Sequence, residues 1–156
     1  MEIIDFHAHI YPDKIAEKAS RSVGEFYSIP MEKVGSVEAL FQSGDPVGVG
    51  RYVVQSVATT PHQVASINNF ISQVCREHPD RLIGFGTLHP QMENPVAEVE
   101  RCIQLGLHGI KLHPDVQQFY MDDPALFPVY EAAQGRLPFL IHCGDYRYDY
   151  SHPRRL

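Results

Sequence analysis

Five short apolar runs, at residues 3–10, 52–58, 82–88, 109–113 and 138–142, punctuate this chain of 156 residues. Each has the length of a strand, and most are apolar nearly throughout, as strands covered on both faces are. Between the later runs the pattern turns to helical spacing. Thr60-Pro61-His62-Gln63 supplies an N-cap threonine, a proline at the first helical position and a glutamine at the third, the arrangement of a capping box. Val64, Ile67, Ile71, Val74 and Cys75 then fall on one helical face. His78-Pro79 stops that helix, because proline disfavours helical geometry in the residue before it. Asn94-Pro95 opens the next helix, with Val96, Val99, Cys102 and Ile103 as its apolar stripe and Gly106 as a left-handed terminator. Asp123-Pro124 opens another, with Leu126, Val129, Tyr130 and Ala133 inward and Gly135 closing it. Pro128 predicts a distorted first turn there. Between the first two strands the spacing predicts helices over residues 13–26 and 36–42.

Alternation of strand and helix predicts parallel strands joined by right-handed crossovers. No G-x-G-x-x-G follows the first strand, so a dinucleotide-binding fold lacks its signature. Successive strands end at His89, His113 and His142, 24 and 29 residues apart. Histidines gathered at the carboxyl ends of strands favour a barrel, whose chemistry occupies that face. The expected fold class is therefore α/β, a partial (β/α)8 TIM barrel of about five βα units. Eight units take about 250 residues, and five-eighths of that is about 156. Ser151 reads as an N-cap, which puts the last residues inside a first helical turn. The expectation is that residues 1–156 are the N-terminal part of a single barrel domain, with strands six to eight absent. The first and fifth strands would then be open edges, which predicts a homo-oligomer formed through them.

Composition narrows the partners. Apolar residues make up 44% and charged residues 21%, ordinary values for a soluble globular protein. The formal net charge is −6 and the one basic pair that stands out is Arg154-Arg155, so no basic surface for nucleic acid is expected. No apolar run approaches membrane-spanning length. The first strand begins within two residues of Met1, which leaves no space for a signal peptide. Cys75, Cys102 and Cys143 form no C-x-x-C, so neither a disulfide framework nor a zinc ribbon is suggested. These readings predict a cytoplasmic protein whose partner is a small molecule.

His7-Ala8-His9 closes the first run. Alternate side chains of a strand share a face, so the two imidazoles point the same way. Two neutral imidazoles at a strand end make half of a transition-metal site; a polar strand end is the plainer alternative. Asp5 has the same parity one step deeper, either orienting an imidazole or simply buried and hydrogen-bonded. Lys111 and His113 also share a face. A desolvated ammonium needs an anion nearby, which makes Lys111 a partner for a substrate carboxylate. His113 is a candidate for binding substrate or handling a proton near neutral pH, or is a satisfied structural histidine. Cys143 is expected to point into the helix layer as a small buried residue, and His89 to be a rim or structural group. After the fifth strand, the loop from Asp145 to Tyr150 carries Arg147 among aromatic residues, suited to covering a small anionic or aromatic substrate.

Ile4-Asp5-Phe6-His7-Ala8-His9, Gly109-Ile110-Lys111-Leu112-His113-Pro114 and Phe139-Leu140-Ile141-His142-Cys143-Gly144 together resemble the amidohydrolase superfamily, in particular its amidohydrolase-2 branch of aminocarboxymuconate-semialdehyde decarboxylase-like enzymes. The resemblance runs over the whole chain. It implies a (β/α)8 metal-dependent hydrolase or decarboxylase, with His7 and His9 as metal ligands from the first strand and His142 as a further ligand from the fifth. A sixth-strand histidine and an eighth-strand aspartate that complete the family's site have no counterpart here. In some members a fourth-strand lysine is carboxylated and bridges two metals, which is a second role for Lys111. The implied cofactor is a divalent metal, zinc first. The leading expectation is hydrolysis by metal-activated water, whose pKa the ion lowers to about 7. The alternatives are nonoxidative decarboxylation and a catalytically inert half-barrel that self-associates.

Overall fold

The computed structural model describes residues 2–144 together with residues 152 and 154. Five strands, β1 (Ile3–His9), β2 (Val49–Gln55), β3 (Leu82–Thr87), β4 (Gly109–Leu112) and β5 (Phe139–Ile141), form one sheet in the order β1-β2-β3-β4-β5. Every pairing is parallel. The helices α1 (Asp13–Tyr27), α2 (Val37–Gly44), α3 (Val64–Glu77), α4 (Pro95–Gln104), α5 (Pro114–Gln117) and α6 (Phe127–Ala133) fill the crossovers. The result is the half-barrel predicted from the strand–helix alternation.

The caps behave as their chemistry requires. The Gln63 side chain accepts from the Thr60 backbone N–H at 3.2 Å and from that of Thr59 at 2.8 Å, closing the capping box at the head of α3. Its first turn, Pro61–Gln63, is a 3-10 turn. Ser36 accepts from the Ala39 N–H at 3.1 Å. Asp123 does the same for Ala125, and the turn Pro124–Leu126 that precedes α6 is again 3-10, the distortion that Pro128 predicts. Gly106 and Gly135 adopt φ of 75° and 71°, where a β-carbon would be strained.

Two details depart from the sequence reading. β2 starts at Val49 and ends at Gln55 rather than running over residues 52–58. Beyond Gln55 the chain leaves the ladder, and its polar backbone groups find other partners: Ala58 N–H donates to Thr87 Oγ1, and Ala58 C=O accepts from Gln117. β1 also carries a bulge. Asp5 aligns with Tyr52 and Ala8 with Val54, so Phe6 and His7 together face the single residue Val53. Asp5 therefore loses the parity it was expected to share with His7. Its Oδ1 accepts the His7 backbone N–H at 3.0 Å and holds the bulge, rather than orienting an imidazole.

The core lies between sheet and helices. Tyr52, Val54, Ile71, Val99, Cys102, Ile110, Leu112, Val129 and Ala133 are its buried centre. Asn68 locks α3 to β3 by accepting the Thr87 N–H at 2.7 Å and donating to the Thr87 carbonyl at 3.0 Å. Its amide also donates to Glu98 of α4 at 2.6 Å. At the start of β4 only glycine fits: a β-carbon on Gly109 would stand 2.4 Å from the Phe85 ring. All three cysteines are free. Burial raises the thiols of Cys75 and Cys102 to about 11 and about 12. Cys143 is exposed, against the buried place expected for it, because β5 ends at Ile141 and strand alternation no longer governs the next residues. Among the described residues no helix is long and apolar enough to cross a membrane.

Candidate metal centre and histidine rim

The carboxyl ends of the strands collect the polar groups. His9 ends β1 and Gln55 ends β2, in register with each other. Thr87 ends β3 beside Lys111 of β4. His113 follows β4 directly, and His142 follows β5.

The imidazoles form two groups. His7 and His9 bring their Nε2 atoms to 3.1 Å. Both are neutral at neutral pH. Burial, with the charges of His7, Lys111 and His142 adding, pushes His9 down to about 3, and burial with Lys111 and His142 also lowers His7. In the second group His113 and His142 stack with ring centres 4.0 Å apart at 17°. Burial, then the neighbouring charges of His142, Lys111 and His9, pushes His113 down to about 3.

The hydrogen bonds of His113 assign its tautomer. Its Nδ1 accepts the Val116 backbone N–H at 3.3 Å, so in the neutral ring Nε2 carries the hydrogen. Nε2 then donates to the Tyr27 hydroxyl at 2.7 Å. That hydroxyl oxygen in turn lies 3.4 Å from Nε2 of His142. Tyr27 closes α1, where the left-handed Ser28 (φ 54°) ends the helix. Phe26 packs edge-on against the His113 ring. Neither aromatic residue stood out in the sequence, since nothing in the spacing of α1 tells which of its last residues meets the fourth strand.

Behind His113, Gln117 binds three strand ends together. Its amide donates to the carbonyls of Ala58 at 3.0 Å and Leu88 at 2.6 Å, and its carbonyl accepts the His113 backbone N–H at 2.9 Å. His89 has the structural place expected of it, buried with Nδ1 accepting the Gln91 N–H at 3.2 Å. Lys111 is fully buried, its ammonium lowered to about 8 chiefly by that burial. Arg147 and the rest of its loop lie outside the described residues.

Of the groups expected to hold a metal, the structure brings His7 and His9 together and sets His142 against His113 and Tyr27. Among the described residues, no three His, Cys, Asp or Glu side chains gather closely enough to hold an ion. The pair itself fits one. Two zinc–nitrogen bonds of about 2.0–2.1 Å at a tetrahedral angle put their nitrogens roughly 3.3–3.4 Å apart, close to the 3.1 Å found. A neutral imidazole is the form that binds. Nε2 of His142, 3.4 Å from the Tyr27 hydroxyl oxygen, is a third nitrogen at this end of the sheet.

The chain matches the amidohydrolase family over residues 4–156. It belongs to that family. A relative, the 2-amino-3-carboxymuconate-6-semialdehyde decarboxylase of Dictyostelium discoideum, is 43% identical over 70 residues, which are 44% of this chain and 20% of the relative. The amidohydrolase fold is also seen in the 5-carboxyvanillate decarboxylase of Novosphingobium aromaticivorans, a structure with bound manganese. It superposes with a TM-score of 0.72 at 20% identity over 92% of this chain and 51% of that one. The 5-carboxyvanillate decarboxylase of Sphingomonas paucimobilis gives 0.72 at 23% identity over 95% and 54%. The chain thus spans about half the length of these solved structures and a fifth of the curated relative.

The lowered histidines make a pH prediction for the metal-free chain. In the unfolded state these imidazoles titrate near 6.5, whereas folded His9 and His113 titrate at about 3. Between those values the unfolded chain holds more protons, so acid favours unfolding. Stability from this source is complete above about pH 6.5 and drains away as the pH falls toward 3. In the presence of a chelator, the melting temperature followed by circular dichroism is expected to fall steadily from pH 7 to pH 4. A flat profile over that range would show the rings charged in the folded state.

Proposed function

We propose that this chain carries part of the active site of a divalent-metal-dependent nonoxidative decarboxylase of a small carboxylated substrate. The observation that carries the proposal is the His7–His9 pair, two neutral nitrogens 3.1 Å apart at the carboxyl end of β1. The likeness to a curated decarboxylase favours carbon dioxide loss over the hydrolysis that the sequence put first. His7 and His9 would hold the ion, with His142 as the third nitrogen. Zinc is the ion we propose, because imidazole suits it; manganese, which a structural neighbour holds, is the rival.

When bound, the ion would hold the substrate's oxygens and stabilise the negative charge that develops as the carbon–carbon bond breaks. The chain's own residues do the rest. Lys111 offers a buried positive charge to an anionic substrate. The bond electrons stay on the substrate carbon when carbon dioxide leaves, and one proton must reach that carbon. His113 carries a hydrogen on Nε2 and holds the Tyr27 oxygen with it, so we assign the Tyr27 hydroxyl as donor of that proton, with His113 stabilising the phenolate left behind until solvent reprotonates it.

The test is carbon dioxide release. The chain loaded with zinc or with manganese is expected to liberate carbon dioxide from 2-amino-3-carboxymuconate semialdehyde or 5-carboxyvanillate, and to stop on addition of a chelator. Hydrolysis of esters or amides without carbon dioxide release would reinstate the hydrolytic reading.

A further inference from the structure

Two buried glutamines sit at this end of the sheet, and they differ in one respect. Gln117 has every amide position satisfied by backbone groups. Gln55 is also fully buried, yet among the described residues neither its Oε1 nor its Nε2 has a hydrogen-bond partner. Nζ of Lys111, fully buried as well, is equally without one. An unpaired amide group in the interior is destabilising, and an unpaired charge more so. Polar groups left in that condition at a strand end, beside a candidate reaction centre, are groups kept for a ligand.

The two belong to one place. Gln55 stands in register with His9 across the β1–β2 ladder. Lys111 is near enough for its charge to act on His7, His9, His113 and His142 alike. His9 is thus their common neighbour. Together they place an ammonium and an amide, both buried and unanswered, on β2 and β4 to either side of β3 in the same sheet. Two donors of which one is cationic match a carboxylate, whose two oxygens accept several hydrogen bonds.

We propose that Lys111 and Gln55 form the floor of the site and bind a carboxylate of the substrate, so that the substrate class is small organic acids held by a carboxylate that does not depend on the metal. This rests on the reading of the histidine rim as the reaction site and adds to it a recognition element from β2. The group bound here is anchored by the protein. Any carboxylate that reacts at the metal is a separate one, which makes a substrate with two acidic groups the best fit.

The test uses the whole chain, benzoate as the probe, benzamide as its neutral counterpart, and a chelator throughout. Calorimetric titration is expected to show benzoate binding at least tenfold more tightly than benzamide. Lys111→Met is expected to weaken benzoate at least tenfold while melting no lower than the parent, since it removes an unpaired buried charge. Gln55→Glu is the sharper variant. If the two side chains share a pocket, the new carboxylate takes the ligand's place on Lys111: the melting temperature rises by several degrees and benzoate binding is lost. If they do not, a carboxylate is buried with no cation beside it, the variant melts well below the parent, and the proposal falls. Equal binding of benzoate and benzamide by the parent, as expected if water alone fills the space, also overturns it. Metal affinity is measured separately on the same variants. Failure to bind metal would leave the carboxylate floor standing, and loss of the floor would leave metal loading intact.

Discussion

His9→Ala is expected to weaken zinc or manganese binding by more than about 100-fold. Changes to groups that merely support a metal ligand cost 10–100-fold in affinity, so loss of a donor nitrogen should reach at least the top of that range. The two Nε2 atoms at 3.1 Å act as a chelating pair. With one gone, His7 stands on an exposed part of β1 and the chelating pair is lost. His9 contributes little to the fold: among the described residues its ring nitrogen meets only His7, and the strand is held by backbone pairing with β2. The variant should therefore melt close to the parent in chelator while losing its metal. Competition against a chromogenic chelator measures the change. Unaltered affinity would move the metal away from β1.

Gln117→Leu is expected to destabilise the chain by about 2–6 kcal/mol. Leucine has nearly the volume of glutamine but no polar atoms, so the carbonyls of Ala58 and Leu88 and the N–H of His113 would each lose a partner. All three bonds are buried; the Leu88 carbonyl keeps the Thr87 hydroxyl at 3.4 Å, and each of the two groups left unsatisfied costs about 1–3 kcal/mol. Urea unfolding gives the difference, and a loss below about 1 kcal/mol would mean that water enters and replaces the amide. The contrast with Gln55 is the informative part. The same residue type, equally buried, is expected to be indispensable at one position and dispensable to folding at the other, because only one of them is answered by the backbone.

The sequence made the architecture legible because apolar runs and helix caps are local signals. Thr60-Pro61, Asn94-Pro95 and Asp123-Pro124 each place a helix start within a residue or so of where it stands. His113-Pro114 is a variant of that device, with the histidine Nδ1 as the capping acceptor, and it went unread because histidine is an uncommon N-cap. The histidine pair was legible from alternation, while Asp5 was not, because a bulge is invisible in a pattern of period two. His142 was placed at the right strand end, but its stacking on His113 and its link to Tyr27 depend on how far α1 reaches across the rim, which is a tertiary matter. Gln55 was hidden for a simpler reason. A glutamine closing an apolar strand carries no sign of whether its amide will be met, and only the packed interior answers that.

The four-residue helix after β4 has a consequence for how the protein can diverge. The hydrogen on the His113 ring is assigned by the amide of Val116, a group every amino acid but proline possesses. Exchange of the surrounding side chains can reshape the space for a new substrate while the imidazole keeps the same nitrogen facing Tyr27. Specificity is free to drift around a proton whose address is written in the main chain.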